Sequence, residues 1–262
     1  MDSYEVLGPG DVVCVIDTTG SMGPYIKAAR ETAVKQAEGI AERGDLDLRF
    51  AVVEYRDHPP QDGTFVARKY PFGPGRELQA TLDKLIAGGG GDRPEAVYDG
   101  LIGAVDLDWR LEAEHLCFLI GDSPPHNPCV CHATPGGVIE YMGSKQITLH
   151  APSIAGASDT ARAFRELTDA LGGVTTEVDA APEAVGVYAA TLDYASAEIG
   201  STRAYMAVAM SMGPTASTAA VADSLGWTTD KVERARTYAT KRGLTDPIKD
   251  KRRIDQEDRN RR

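Results

Sequence analysis

The feature that most constrains this chain is the stretch Asp11–Met22, which reads DVVCVIDTTGSM. Val12-Val13-Cys14-Val15-Ile16 is a short run with no polar break, the pattern of a strand buried on both faces. The run stops at Asp17-Thr18-Thr19-Gly20-Ser21, and a helical pattern follows, with Pro24 in its first turn and Ile26, Ala29, Ala33, Ala37 and Ile40 at helical spacing up to Gly44. A buried strand feeding a helix through a tight polar turn is the opening unit of an α/β sheet. The side chains of Asp17, Thr19 and Ser21 alternate in that turn, and carboxylate and hydroxyl oxygens are the donors that hard divalent cations accept in place of water.

The same alternation continues along the chain. Leu46–Tyr55 and Phe65–Tyr70 read as strands, the second of them at an edge. A helix with Leu78, Leu82 and Leu85 on one face follows, then the glycine run Gly88–Gly91. Asp92-Arg93-Pro94 opens a helix with Val97, Leu101 and Val105 as its buried stripe. His115–Gly121 is a central strand, ending in Gly121-Asp122-Ser123-Pro124-Pro125-His126. Past the loop Asn127–Gly137 and a short helix come a strand at Gln146–Pro152, a helix marked by Phe164, Leu167 and Leu171, a last strand at Gly173–Val178, and a closing helix carrying Val185, Tyr188, Leu192, Ala195 and Ile199. Strands alternating with helices predict a doubly wound, mostly parallel sheet with helices on both faces, and right-handed crossovers put the loops after the strands on one edge.

Three loops on that edge bring together Asp17, Thr19 and Ser21, then Asp92, then Asp122. The segments DTTGSM, GGGGDRPE and GDSPPH together resemble a von Willebrand factor A domain of the intracellular and hemicentin-like branch, over about residues 11–199. The resemblance implies a metal-ion-dependent adhesion site with Asp17, Thr19, Ser21, Asp92 and Asp122 as its metal residues. Magnesium is the first expectation and manganese or calcium the next, because oxygen-only sites choose by size and flexibility. In the family, integrins carry a neutral threonine in the second loop; Asp92 is an anion. Three direct carboxylates around a 2+ ion would sum to −1 and reduce the pull on an acidic partner, so Asp17 or Asp92 is expected to act through water, or the partner to offer a neutral oxygen. The expected partner is a protein docked at the metal edge, with Arg56, Asp57, His58, Arg93 and His126 as a polar rim. The alternative for those residues is a loop braced by a salt bridge and prolines.

His126, Cys129, Cys131 and His132 form H-x-x-C-x-C-H, which invites a second, zinc-type site; the alternative is a surface loop with free thiols. The D-x-T-G turn also resembles the aspartyl-phosphate loop of haloacid-dehalogenase-like phosphatases, where Asp17 would be the nucleophile. That family needs a further acid just after the later aspartate, and Ser123-Pro124-Pro125-His126-Asn127 supplies none. No enzyme is expected.

Beyond about residue 200 no strand pattern recurs. A small all-α segment is expected over 201–246, with a charged tail over 247–262. The run from Ser217 to Leu244 resembles the helix-turn-helix of small winged-helix modules. A DNA-binding regulator is therefore the alternative function, with Lys231, Arg234, Arg236, Lys241 and Arg242 as the phosphate contacts. The net charge of −11 weighs against non-specific nucleic-acid binding by the whole chain. The opening residues MDSYEVLGPGD carry acids and no apolar core, and no run is long enough to span a membrane, so no membrane partner and a cytoplasmic location are expected. The cysteines in apolar runs agree with a reducing compartment.

Overall fold

The computed structural model describes residues 7–28, 30, 46–111, 113–154, 157–178 and 204–241. The chain divides into two compact units, Met1–Ala195 and Ser196–Arg262. The expected closing helix around Val185–Ile199, Arg242 and the tail 247–262 lie outside the described residues.

The first unit is a six-stranded sheet in the order β3-β2-β1-β4-β5-β6. Its strands are β1 (Leu7–Asp17), β2 (Leu46–Tyr55), β3 (Ala67–Pro74), β4 (Glu114–Ile120), β5 (Thr148–Ile154) and β6 (Thr175–Val178). All neighbours are parallel except β2 and β3. β1 lies between β2 and β4 and is buried on both sides: Val13 and Val15 pack in one core, and the alternate residues Val12 and Ile16 are equally covered. The helices are α1 (described over 23–28), α2 (Gly75–Leu82), α3 (Val97–Val105), α4 (Pro135–Ser144) and α5 (Ser158–Ala170). Leu101 and Ala104 of α3, Val138 and Met142 of α4 and Phe164 and Leu167 of α5 join Val13, Val15, Val53, Leu119 and Leu149 in that core.

The two largest departures from the expected boundaries have physical reasons. The edge strand is Ala67–Pro74 and not Phe65–Tyr70; its Pro71 and Pro74 lack ladder donors, which only an edge position tolerates. It is antiparallel because residues 56–66 supply a loop and no crossover helix. The helix expected from Asp92 begins at Val97, because the preceding residues are used elsewhere: the Glu95 N–H donates to Pro124 O at 3.0 Å, and Glu95 bridges to Pro125.

At the opposite end of β1, fully buried Asp11 receives Arg49 Nε at 3.0 Å and Nη2 at 2.7 Å, and the Arg110 backbone N–H at 2.8 Å. Burial raises its pKa, but these bonds outweigh that and hold the carboxyl below its usual range. Arg110 Nε also donates to Asp11 at 2.9 Å, so Asp11→Ala removes the buried carboxylate that both guanidinium groups share and is expected to cost about 3–5 kcal/mol, read as a lowered midpoint in urea unfolding.

The second unit contains α6 (204–212), α7 (Thr218–Leu225) and α8 (Thr229–Lys241). Tyr205, Ala209, Val221, Ala222, Val232 and Ala235 form its core. Ser217 caps α7 by accepting from the Ala220 N–H, and Gly226 ends it at φ 64°.

Candidate functional site

β1 stops at Asp17 because the chain there turns onto its own side chain. The Asp17 Oδ1 accepts the Thr19 backbone N–H at 2.8 Å and the Thr19 hydroxyl at 2.6 Å, and Thr19 Oγ1 lies 3.4 Å from Ser21 Oγ. The three side chains are thus tied together within one turn. The glycine run is fastened across this turn: the Gly20 N–H donates to Gly89 O and the Gly88 N–H to Thr18 O. Gly90, at φ +74°, needs its lack of a side chain twice over, since a Cβ there would sit 3.1 Å from Thr19 Cβ and 3.2 Å from Glu95 Oε1.

The result is an open cleft of about 460 Å³ on the carboxyl edge of the sheet. Thr19, Ser21, Asp92, Arg93, Glu95 and Asp122 are among its lining residues, so the three predicted loops do converge. Asp17 is fully buried beside it, and its Oδ2 has no hydrogen-bond partner. Next to Asp17 stands the Tyr55 hydroxyl, also buried and unpartnered; a Cβ at Gly121 would collide with that hydroxyl and lie 3.6 Å from Asp17 Oδ2.

The charges here oppose one another. Burial, and then the nearby Asp122, push the Asp17 carboxyl up to about 7. Burial, followed by Asp17, Asp57, Asp122 and Asp92, pushes Glu95 up to about 9. The Tyr55 phenol is driven well above its ordinary range by burial and by the same acids. Several carboxyls share this space, and Arg93 at its rim turns away from them, to Asp159 at 3.0 Å and to the Thr160 hydroxyl at 2.8 Å.

The sequence reading passed over Glu95. Asp92, the anion assigned to the second loop, is exposed, whereas Glu95, three residues on, is 4 % exposed with Oε2 unpartnered. Its signal was the acid standing directly before the apolar stripe of α3, where an ion is costly.

The expected polar rim needs correcting. Arg56, Asp57 and His58 are buried, not displayed. Arg56 donates from Nη2 to Ile86 O at 2.7 Å, approaches Asp62 Oδ2 at 3.6 Å and lies over the Phe65 ring. Asp62 in turn accepts the Gly90 N–H, so this loop folds inward to brace the glycine run. Arg93 is exposed at the cleft, and half-buried His126 places Nε2 2.6 Å from Asp57 Oδ1.

The expected donor set His126, Cys129, Cys131 and His132 does not assemble as one group. His126 is taken by Asp57. His132 sits at a turn with φ 62°, its N–H on Cys129 O, and belongs to neither cluster of metal-type donors among the described residues. In the helical unit, Lys231 Nζ lies 4.2 Å from the centre of the Trp227 ring and Arg236 pairs with Glu233 at 3.7 Å. The side chains of Arg234 and Lys241 are outside the described residues.

Comparison with known proteins agrees with this fold. The model of the von Willebrand factor A domain family matches residues 11–133. An alpha-protein kinase of Dictyostelium discoideum, vwkA, is 28% identical over 134 residues, which is 48% of this chain and 21% of that protein, so the chain spans about a fifth of that relative. Among solved structures, a von Willebrand factor type A protein from Catenulispora acidiphila superposes with a TM-score of 0.52 at 21% identity over 71% of this chain and 42% of that one. The open form of the pilus adhesin SpaC from Lactobacillus rhamnosus GG gives 0.58 at 16% identity over 74% of this chain and 30% of that one. Fold and family match agree: residues 11–133 of this chain carry a von Willebrand factor A domain.

Proposed function

We propose that the chain is a non-enzymatic protein-interaction module whose docking edge is completed by a divalent cation. The observation that carries this reading is the unpartnered Asp17 Oδ2, buried where the Thr19 and Ser21 hydroxyls and Asp122 meet at one open cleft. Asp17, Thr19, Ser21 and Asp122 fit an oxygen-loving ion as a donor set, with Asp92 at the exposed side; magnesium comes first, then manganese or calcium. The ion would supply positive charge to a cavity that otherwise repels itself, and an open coordination position for an oxygen of the partner. Two acids close to the ion would leave it neutral overall, so Glu95 decides the balance. Held protonated it leaves a partner carboxylate attractive; ionised it favours a neutral oxygen. No helix among the described residues is long and apolar enough to cross a membrane.

The test is calorimetric titration of Mg2+ and Mn2+ into chelator-treated full chain, with and without a short carboxylate-bearing peptide. The expected result is saturable binding of the ion alone, and peptide binding that appears only with metal. Absence of ion binding at millimolar metal defeats the proposal.

A further inference from the structure

A second donor cluster lies outside the cleft, and its chemistry differs. His58, Asp99, Cys129 and Cys131 each present one ligand atom, and these atoms all lie within 4.8 Å of one another. His58 comes from the loop after β2, Asp99 from α3, and the two cysteines from the loop after β4. Tetrahedral zinc, with bonds of about 2.0–2.3 Å, spaces its donors about 3.3–3.8 Å apart. Here Cys129 Sγ is 3.7 Å from Asp99 Oδ2, and His58 Nε2 is 3.0 Å from the same oxygen.

The independent sign is the histidine. His58 is 5 % exposed, and both ring nitrogens lack a hydrogen bond; Nε2 approaches Asp99 but is out of line for one. A buried imidazole without hydrogen bonds is costly, and native interiors seldom keep one. On its other side, Asp57 Oδ1 stands 3.8 Å from His58 Nδ1 while accepting the His58 backbone N–H at 2.7 Å and facing His126 Nε2. A carboxylate on that side would have to move closer by several tenths of an ångström to accept the N–H that a zinc-bound imidazole leaves free.

We infer that His58, Asp99, Cys129 and Cys131 form a structural zinc site. Two thiolates select zinc over magnesium, so the two centres would not compete: sulfur and imidazole hold one ion, oxygen the other. The four donors are all protein groups, which closes the shell and gives the ion a tying role. It links the loop of β2, α3 and the segment that follows Asp122, and so fixes the strand-end loops from which the cleft is built. The inference stands whether or not the cleft binds an ion.

Full chain produced in zinc-supplemented medium and desalted is expected to carry one zinc per chain by mass spectrometry of the metal. After exchange with cobalt it shows thiolate-to-cobalt charge-transfer absorption, which no oxygen-only site gives. Cys129→Ser with Cys131→Ser, and separately His58→Ala, lower the zinc content at least about tenfold, while His132→Ala leaves it unchanged. Zinc-free wild-type protein, a cobalt spectrum without thiolate absorption, or equal loss of zinc in His132→Ala overturns the inference. Should the cysteine variant not fold, the cobalt spectrum of the wild type decides alone.

Discussion

Asp17→Asn abolishes divalent-cation binding at the cleft and leaves the metal-free protein no less stable than wild type at pH 8. The two halves of this result have one cause. Asparagine keeps the oxygen that accepts the Thr19 N–H and hydroxyl, at 2.8 and 2.6 Å in the wild type, so the turn survives. It replaces the buried, unpartnered Oδ2 by an amide N–H that faces Asp122, and removes a charge whose pKa burial has lifted to about 7. The carboxylate is therefore a burden without a cation and the principal donor with one. Removing even an outer partner of a bound ion costs about 10–100-fold in affinity, so loss of this donor should exceed ~100-fold. Differential scanning fluorimetry gives a second reading. Magnesium at about a hundred times its Kd adds ~2.7 kcal/mol, or roughly 5–10 °C for a chain of this size, to the wild type and nothing to Asp17→Asn. A variant that keeps the magnesium shift would show that the ion sits elsewhere.

Much of this site was legible in the residues because its parts are local. Asp17, Thr19 and Ser21 announce themselves by an apolar run that stops and by oxygens at alternate positions. The doubly wound topology then obliges the loops after β1 and β4 to meet on one edge, as the lining of the cleft confirms for Ser21 and Asp122. What sequence could not supply was which polar groups turn inward. Arg56, Asp57 and His58 follow a strand on the functional edge, where display is the usual fate of a loop. Their burial depends on Asp62 and the glycine run folding against them. Nor could spacing pair the cysteines. Cys129 and Cys131 are neighbours of His126 and His132 in sequence, but their partners in space come from residues some thirty and seventy positions earlier, at Asp99 and His58. Adjacent ligands in a motif compete for one tetrahedron; distant ones approach from different directions.

Glu95→Gln gives a pH-dependent change of opposite sign for stability and for metal binding. Glu95 and Asp17 are held above their ordinary values, at about 9 and about 7, so between about pH 4 and 9 these two groups bind more protons in the metal-free folded chain than in the unfolded chain. Their contribution to stability without metal therefore falls as pH rises through the unfolded values near 4, and levels off only above 9. Glutamine removes the share of Glu95. At pH 4, where the acid is protonated in the folded chain, the variant should unfold at nearly the wild-type temperature. At pH 8 it should be the more stable, because the wild-type acid must take up a proton to fold and glutamine need not, each pH unit above the unfolded value counting for up to about 1.4 kcal/mol. Metal reverses the preference, because a bound cation favours both carboxylates in their ionised form and releases their protons. Magnesium affinity of the wild type should then tighten between pH 6 and 9, by no more than about tenfold per unit for each proton released. In Glu95→Gln the rise should flatten above about pH 8, where Asp17, with its value near 7, is largely ionised, and the plateau should lie below the wild-type affinity. Calorimetry in buffers of different ionisation enthalpy counts the protons released. A wild type that releases none at pH 8, or a variant whose affinity climbs between pH 8 and 9 as steeply as the wild type's, would remove Glu95 from the site and return the second-loop charge to Asp92.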